Sequence, residues 1–136
     1  MDILSSLRER YGTAVMLITH NFGIVAENAD RIAVMYAGQL VEQGSVFEIF
    51  DCPAHPYTRM LMSALPRRPK SEGRLSTIEG TVPRITDSSP GCRFANRCPY
   101  RIEGVCGSVD APVRSMGGTH TCACHLTEEV LKCSSL

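Results

Sequence analysis

The sequence lacks an excess of charge, a long apolar run and a phosphate-cradling loop, and each absence removes a class of function. Fourteen basic and fourteen acidic residues cancel over 136 positions. That balance leaves no electrostatic footprint for nucleic acid or for an anionic membrane surface. The longest wholly apolar runs reach about six residues, far below the roughly 20 needed to cross a bilayer as a helix. Met1-Asp2-Ile3-Leu4 has neither the basic start nor the apolar stretch of a secretion signal, so the chain is expected in the cytosol. No G-x-x-x-x-G-K-S/T occurs, and no glycine is followed by lysine anywhere, so the loop that cradles phosphates and its lysine are missing. No acidic cluster follows an apolar strand to hold magnesium and a catalytic water. No nucleophile–base pair or carboxylate pair marks an autonomous enzyme.

What the chain does have is cysteine. Of its seven, Cys92, Cys98, Cys106, Cys122, Cys124 and Cys133 lie after residue 90, and Cys52 stands apart. In a reducing compartment a disulfide framework is disfavoured, which makes a metal or iron–sulfur site the better explanation. Four thiolates suit a tetrahedral zinc or a cubane cluster equally.

Local patterns divide the chain into two unlike halves near residue 66. Ile3, Leu4 and Leu7 give a helical spacing over residues 3–10 that stops near Gly12. Residues 14–19 (AVMLIT) are predicted to form a strand buried on both faces, as in a parallel sheet. Residues 22–29 read as a short helix. Residues 31–36 and 39–43 read as two strands joined by a tight turn at Ala37-Gly38. Ser45 and Glu48 form a capping box for the helix VFEIF, which stops before Pro53. Residues 55–65 give an amphipathic helix, and Arg67 to Lys70 a polar linker. Beyond it little periodicity is expected until a short helix around residues 128–132. The doubly buried strand needs neighbours that this chain offers in small number, so the first half reads as the end of a larger sheet.

His20 ends the AVMLIT strand at the edge where open α/β sheets bind ligands, and a histidine there can donate a hydrogen bond to phosphate. The stretch Leu17-Ile18-Thr19-His20-Asn21-Phe22-Gly23, followed by Ala29-Asp30-Arg31-Ile32-Ala33-Val34-Met35-Tyr36-Ala37-Gly38, resembles the switch-histidine region of ABC-transporter ATPase subunits. Val41-Glu42-Gln43-Gly44 and His55-Pro56-Tyr57-Thr58 narrow the resemblance to the oligopeptide/dipeptide/nickel importers. It implies an α/β fold: the C-terminal fragment of a P-loop NTPase domain over residues 1–66, then an irregular cysteine-rich extension over residues 67–136. His20 matches the residue that contacts the γ-phosphate in that family. Asn21 stands where the family usually has aspartate.

Pro90-Gly91-Cys92-Arg93-Phe94-Ala95-Asn96-Arg97-Cys98-Pro99 and His120-Thr121-Cys122-Ala123-Cys124-His125 carry the resemblance into the extension. It implies Cys92, Cys98, Cys106 and Cys124 as ligands of a 4Fe–4S cluster, with zinc as the alternative. The gaps of five, seven and seventeen residues lack the close pair of most structural zinc sites. Cys122 is expected to point away from the site if its segment is extended and stands as a spare or alternative ligand, and Cys52 and Cys133 are expected to be free thiols. His120 and His125 flank the fourth ligand and are expected at the surface, the alternative being a thiolate replacement in a mixed zinc site; Arg93, Arg97 and Arg101 are candidate donors to a negatively charged cluster or, equally, a solvated basic face. The family signature Leu-Ser-Gly-Gly-Gln is absent. The chain therefore reads as a partial subunit, inactive alone, whose intact form uses ATP and magnesium. Its implied partners are a second ATPase subunit and transmembrane permease subunits at the inner face of the membrane. A stand-alone zinc- or cluster-binding interaction module is the competing reading.

Overall fold

The computed structural model describes Ser6 and residues 10–64, 90–126 and 128–131. The helix expected over residues 3–10 falls largely outside them, although Ser6, Arg10 and Tyr11 are helical. The linker at residues 67–70 and Cys133 also lie outside.

Helix α1 (Phe22–Asn28) is capped by Asn21, whose Oδ1 accepts the N–H groups of Gly23 at 3.0 Å and Ile24 at 3.3 Å. An amide oxygen caps as a carboxylate would, so the change from aspartate leaves this turn intact. Strands β1 (Arg31–Tyr36) and β2 (Gln39–Ser45) pair antiparallel, with Arg31 opposite Ser45 and Tyr36 opposite Gln39. The turn between them places Ala37 at φ +48° and Gly38 at φ +82°. Two positive angles in succession give the turn whose twist matches its flanking strands. Along β1, Val34 and Tyr36 are buried while Ala33 and Met35 are exposed, the alternation of a strand packed on one face.

Ser45 closes β2 and caps α2 (Val46–Asp51). Its Oγ accepts the Glu48 N–H at 3.2 Å, and the Glu48 carboxylate accepts the Ser45 N–H at 2.7 Å. This is the expected capping box. Helix α3 (Pro56–Ser63) begins with proline at its first position and His55 as cap.

Residues 14–19 do not form the expected strand. Residues 12–19 carry no regular structure, and every residue from Tyr11 to His20 is exposed. A strand apolar on both faces needs pairing along its edges and a layer on each side, and the described residues supply neither. His20 therefore does not sit at the end of a strand.

The C-terminal region departs from expectation in the other direction. β3 (Val113–Gly117) and β4 (His120–Ala123) form an antiparallel hairpin, and β4 also pairs with β2, Glu42 opposite Cys122. The sheet order is β1-β2-β4-β3. Segments expected in unlike halves thus share one sheet, and the short helix α4 (Glu128–Leu131) follows. The main core gathers Val34, Tyr36, Val41, Ile49, Met62 and Phe94, with Cys92 and Cys98 against it. Tyr36 meets the rings of Tyr57 and Phe94 edge-on, at centroid distances of 4.7 and 5.1 Å. Each fully buried apolar side chain of this size contributes about 1.5–3 kcal/mol. Among the described residues, no helix is long and apolar enough to cross a membrane.

Candidate four-cysteine site

The site is assembled on the core rather than beside it. Phe94 is fully buried and anchors the short turn Ala95–Arg97 between Cys92 and Cys98. Gly91, at φ +103°, lets two cysteine loops touch. A Cβ there would lie 2.7 Å from the carbonyl carbon of Gly107 and 2.9 Å from the carbonyl oxygen of Cys106. Without it, the Cys92 N–H donates to the Cys106 oxygen at 2.8 Å. The Gln39 side chain ties this loop to β2: Nε2 donates to the Gly91 oxygen at 3.0 Å, and Oε1 accepts the Arg93 N–H at 2.9 Å.

Cys92, Cys98, Cys106 and Cys124 line one cavity together with His55, Tyr100, His125 and Leu126. Its non-atom space, open mouth included, is about 300 Å³. No carboxylate lines it among the described residues. All four sulfurs accept hydrogen bonds from the backbone. Phe94 and Ala95 donate to Cys92, Tyr100 to Cys98, Ile102 to Cys106 at 3.3 Å, and Leu126 and His125 to Cys124. Such donors hold sulfur in place and favour its thiolate form. Four thiols in one cavity, each sulfur met by a backbone N–H and no carboxylate among the lining residues, fit a soft metal or an iron–sulfur cluster. The thiols ring the space; among the described residues no three His, Cys, Asp or Glu side chains converge tightly enough to hold a single ion as they stand.

Burial raises the Cys92 thiol pKa and pushes Cys98 up to about 11, against the pull of those backbone donors. Cys124 moves the opposite way, down to about 6, because the Cys122 thiol donates a hydrogen bond to it. The same bond, with burial, raises Cys122 and keeps it protonated. Cys122 therefore does not point away, as expected from the sequence. Residues two apart on an extended segment face the same side, which puts its fully buried thiol against Cys124.

Other neighbours also differ from expectation. His120 is 4% exposed, not a surface residue, and its Nε2 lies 2.7 Å from Glu42 Oε1. Glu42, itself buried, further accepts the N–H groups of Ala54 at 2.6 Å and His55 at 3.0 Å. One carboxylate thus fastens β4 and the turn before α3 to β2. Arg93 donates to the Ala37 oxygen, Arg97 to the Tyr36 hydroxyl and Arg101 to Asn96 Oδ1; none of the three lines the cavity. His125 does line it, and its Nε2–H donates to the Val109 oxygen at 2.9 Å. His55, which the sequence places at a helix start and within the family-like His55-Pro56-Tyr57-Thr58, lines it as well. Burial lowers the His55 pKa to about 4, so its ring is neutral at pH 7. His20 is exposed on the segment before α1 and is not part of this lining.

Residues 41–106 match the family described as the C-terminal region of the oligopeptide/dipeptide transporter. A probable peptide ABC transporter ATP-binding protein of Sinorhizobium fredii is 45% identical over 132 residues, covering 96% of this chain and 39% of the relative. A putative peptide import ATP-binding protein of Brucella abortus is 44% identical over 124 residues, covering 91% and 37%. Another from Brucella ovis is 38% identical over 136 residues, covering 96% and 40%. Over nearly its whole length the chain is therefore similar to ATP-binding proteins of peptide ABC transporters. It spans about two fifths of the length of the curated relatives it matches. The transporter-family match takes in Glu42, Gly91, His55, Cys92, Cys98 and Cys106, and Cys124 lies beyond its end.

Proposed function

We propose that this chain is the C-terminal part of an ATP-binding subunit that powers import of oligopeptides or dipeptides, and that its own contribution is a cluster-stapled extension. Cys92, Cys98, Cys106 and Cys124 are the ligands, and a 4Fe–4S cluster is the occupant, with zinc the alternative. The observation that carries this reading is the single cavity lined by those four thiols, each sulfur facing a backbone N–H donor. A bound cluster would cross-link loops that otherwise share only a few hydrogen bonds, which is how small, loop-rich units gain stability. In the intact subunit His20 senses the γ-phosphate, a role supported by its match to the family's switch histidine. The sequence carries no phosphate-cradling loop, so the chain alone is inactive toward ATP. Its setting is the cytoplasmic face of the membrane, against a second ATPase subunit and the permease subunits.

The test is metal and acid-labile sulfide content, with the visible spectrum, on protein purified without oxygen. About four irons and four sulfides per chain support the cluster. One zinc and no sulfide favours the structural-module reading instead. Cys124→Ser should abolish loading and Cys133→Ser should not; equal loading in both removes Cys124 from the ligand set.

A further inference from the structure

His55 is held by both ends of its own residue. Its backbone N–H donates to Glu42 Oε2 at 3.0 Å, and its ring Nδ1 accepts the Tyr57 N–H at 3.1 Å as the cap of α3. A ring nitrogen that accepts has no proton, so the neutral imidazole carries its hydrogen on Nε2. The residue is 1% exposed, and its ring is hydrogen-bonded through Nδ1. The space that His55 faces is the four-cysteine cavity. The ring of Phe94, 6.0 Å away between centroids, packs against it and fixes its plane.

We infer that His55 is a positioning residue that donates an Nε2–H hydrogen bond to sulfur held within the four-cysteine cavity. The inference rests on the cluster reading above and adds a donor that comes from the sheet-and-helix segment rather than from the cysteine loops. A hydrogen bond to sulfur stabilises the more negative, reduced form of a cluster and so raises its reduction potential. Glu42 holds the His55 backbone and pairs with His120, so the donor's position depends on the same carboxylate that joins β2 to β4.

The experiment uses the full 136-residue chain, reconstituted anaerobically with ferrous iron and sulfide. His55→Ser keeps an oxygen to cap Tyr57 but has no group long enough to reach the cavity. The expected result is unchanged iron and sulfide per chain with a midpoint potential shifted to more negative values. Equal potentials at equal loading overturn the inference and leave the cluster reading intact. No iron and no sulfide in the wild type overturn both. The ring tautomer, read from the nitrogen spectrum of 15N-histidine-labelled wild type, does not depend on the variant folding. A proton on Nε2 of His55 is expected, and a proton on Nδ1 overturns the inference.

Discussion

Two apolar segments of this chain meet opposite fates. Residues 14–18 are Ala, Val, Met, Leu and Ile in unbroken succession, yet all are exposed, Ile18 by 86% and Met16 by 85%. Residues 31–36 are no more apolar, yet they form β1 and bury Val34 and Tyr36. The difference is the supply of partners. β1 finds β2 across a two-residue turn, and β2 finds β4 on its other edge. The described residues give 14–18 neither edge nor cover. Apolar content says that a segment is suited to burial, whereas pairing decides whether this chain can provide it.

The contrast can be broken at its strongest joint by Glu42→Ala. That change leaves the N–H groups of Ala54 and His55 and the ring of His120 without their shared acceptor. Removing one member of a buried pair costs about 3–5 kcal/mol, to be read from denaturant unfolding. A loss below about 1 kcal/mol, the scale of one ordinary hydrogen bond, would mean that β2 and β4 do not depend on this carboxylate. The contrast sharpens if Ile49→Ala, in the core, costs about 2–5 kcal/mol while Ile18→Ala stays within about 0.5 kcal/mol. Equal losses would show that residues 14–18 are packed after all. Gly91→Ala forces a side chain against the Gly107 carbonyl at a positive φ. A strain of about 1–3 kcal/mol follows, together with reduced iron loading; normal loading would show that the loop yields.

The smallest effect is a pH dependence. The Ser45 N–H, then Thr119 and Ser45 side chains, hold the Glu48 carboxyl down at about 2, against 4.5 ordinarily. A depressed carboxylate stabilises the fold above its unfolded value and loses that contribution as pH falls from about 4.5 toward 2. The melting difference between wild type and Glu48→Gln should therefore be largest near neutrality and shrink below pH 4.5. A difference that is constant with pH would show that the charge is irrelevant to the cap.

What could be read in the sequence was local. The Ala37-Gly38 turn, the Ser45–Glu48 box and Pro56 each announce their element within four residues, and β1, β2, α2 and α3 follow. Non-local structure was hidden. The hairpin of β3 and β4 alternates weakly, and its signal, Gly117-Gly118 between short polar runs, is easily passed over. His120 resembles a surface histidine until Glu42, 78 residues earlier, is brought beside it. The four cysteines were legible as a set through the family resemblance. The backbone donors on their sulfurs and the ring of His55 follow only from how Phe94 and α3 pack. Cys122 was misplaced for a simpler reason, since its face follows from a period of two.

The sheet order also has a kinetic consequence. The β1–β2 hairpin closes over two residues and forms on a timescale of about 1–10 μs. The pairing of β2 with β4 must first bring together Glu42 and His120, 78 positions apart. The entropy of such closure grows only with the logarithm of length, and doubling it adds about 0.6 kcal/mol. Doubling that separation would therefore weaken the β2–β4 pairing by about 0.6 kcal/mol and leave the β1–β2 hairpin untouched.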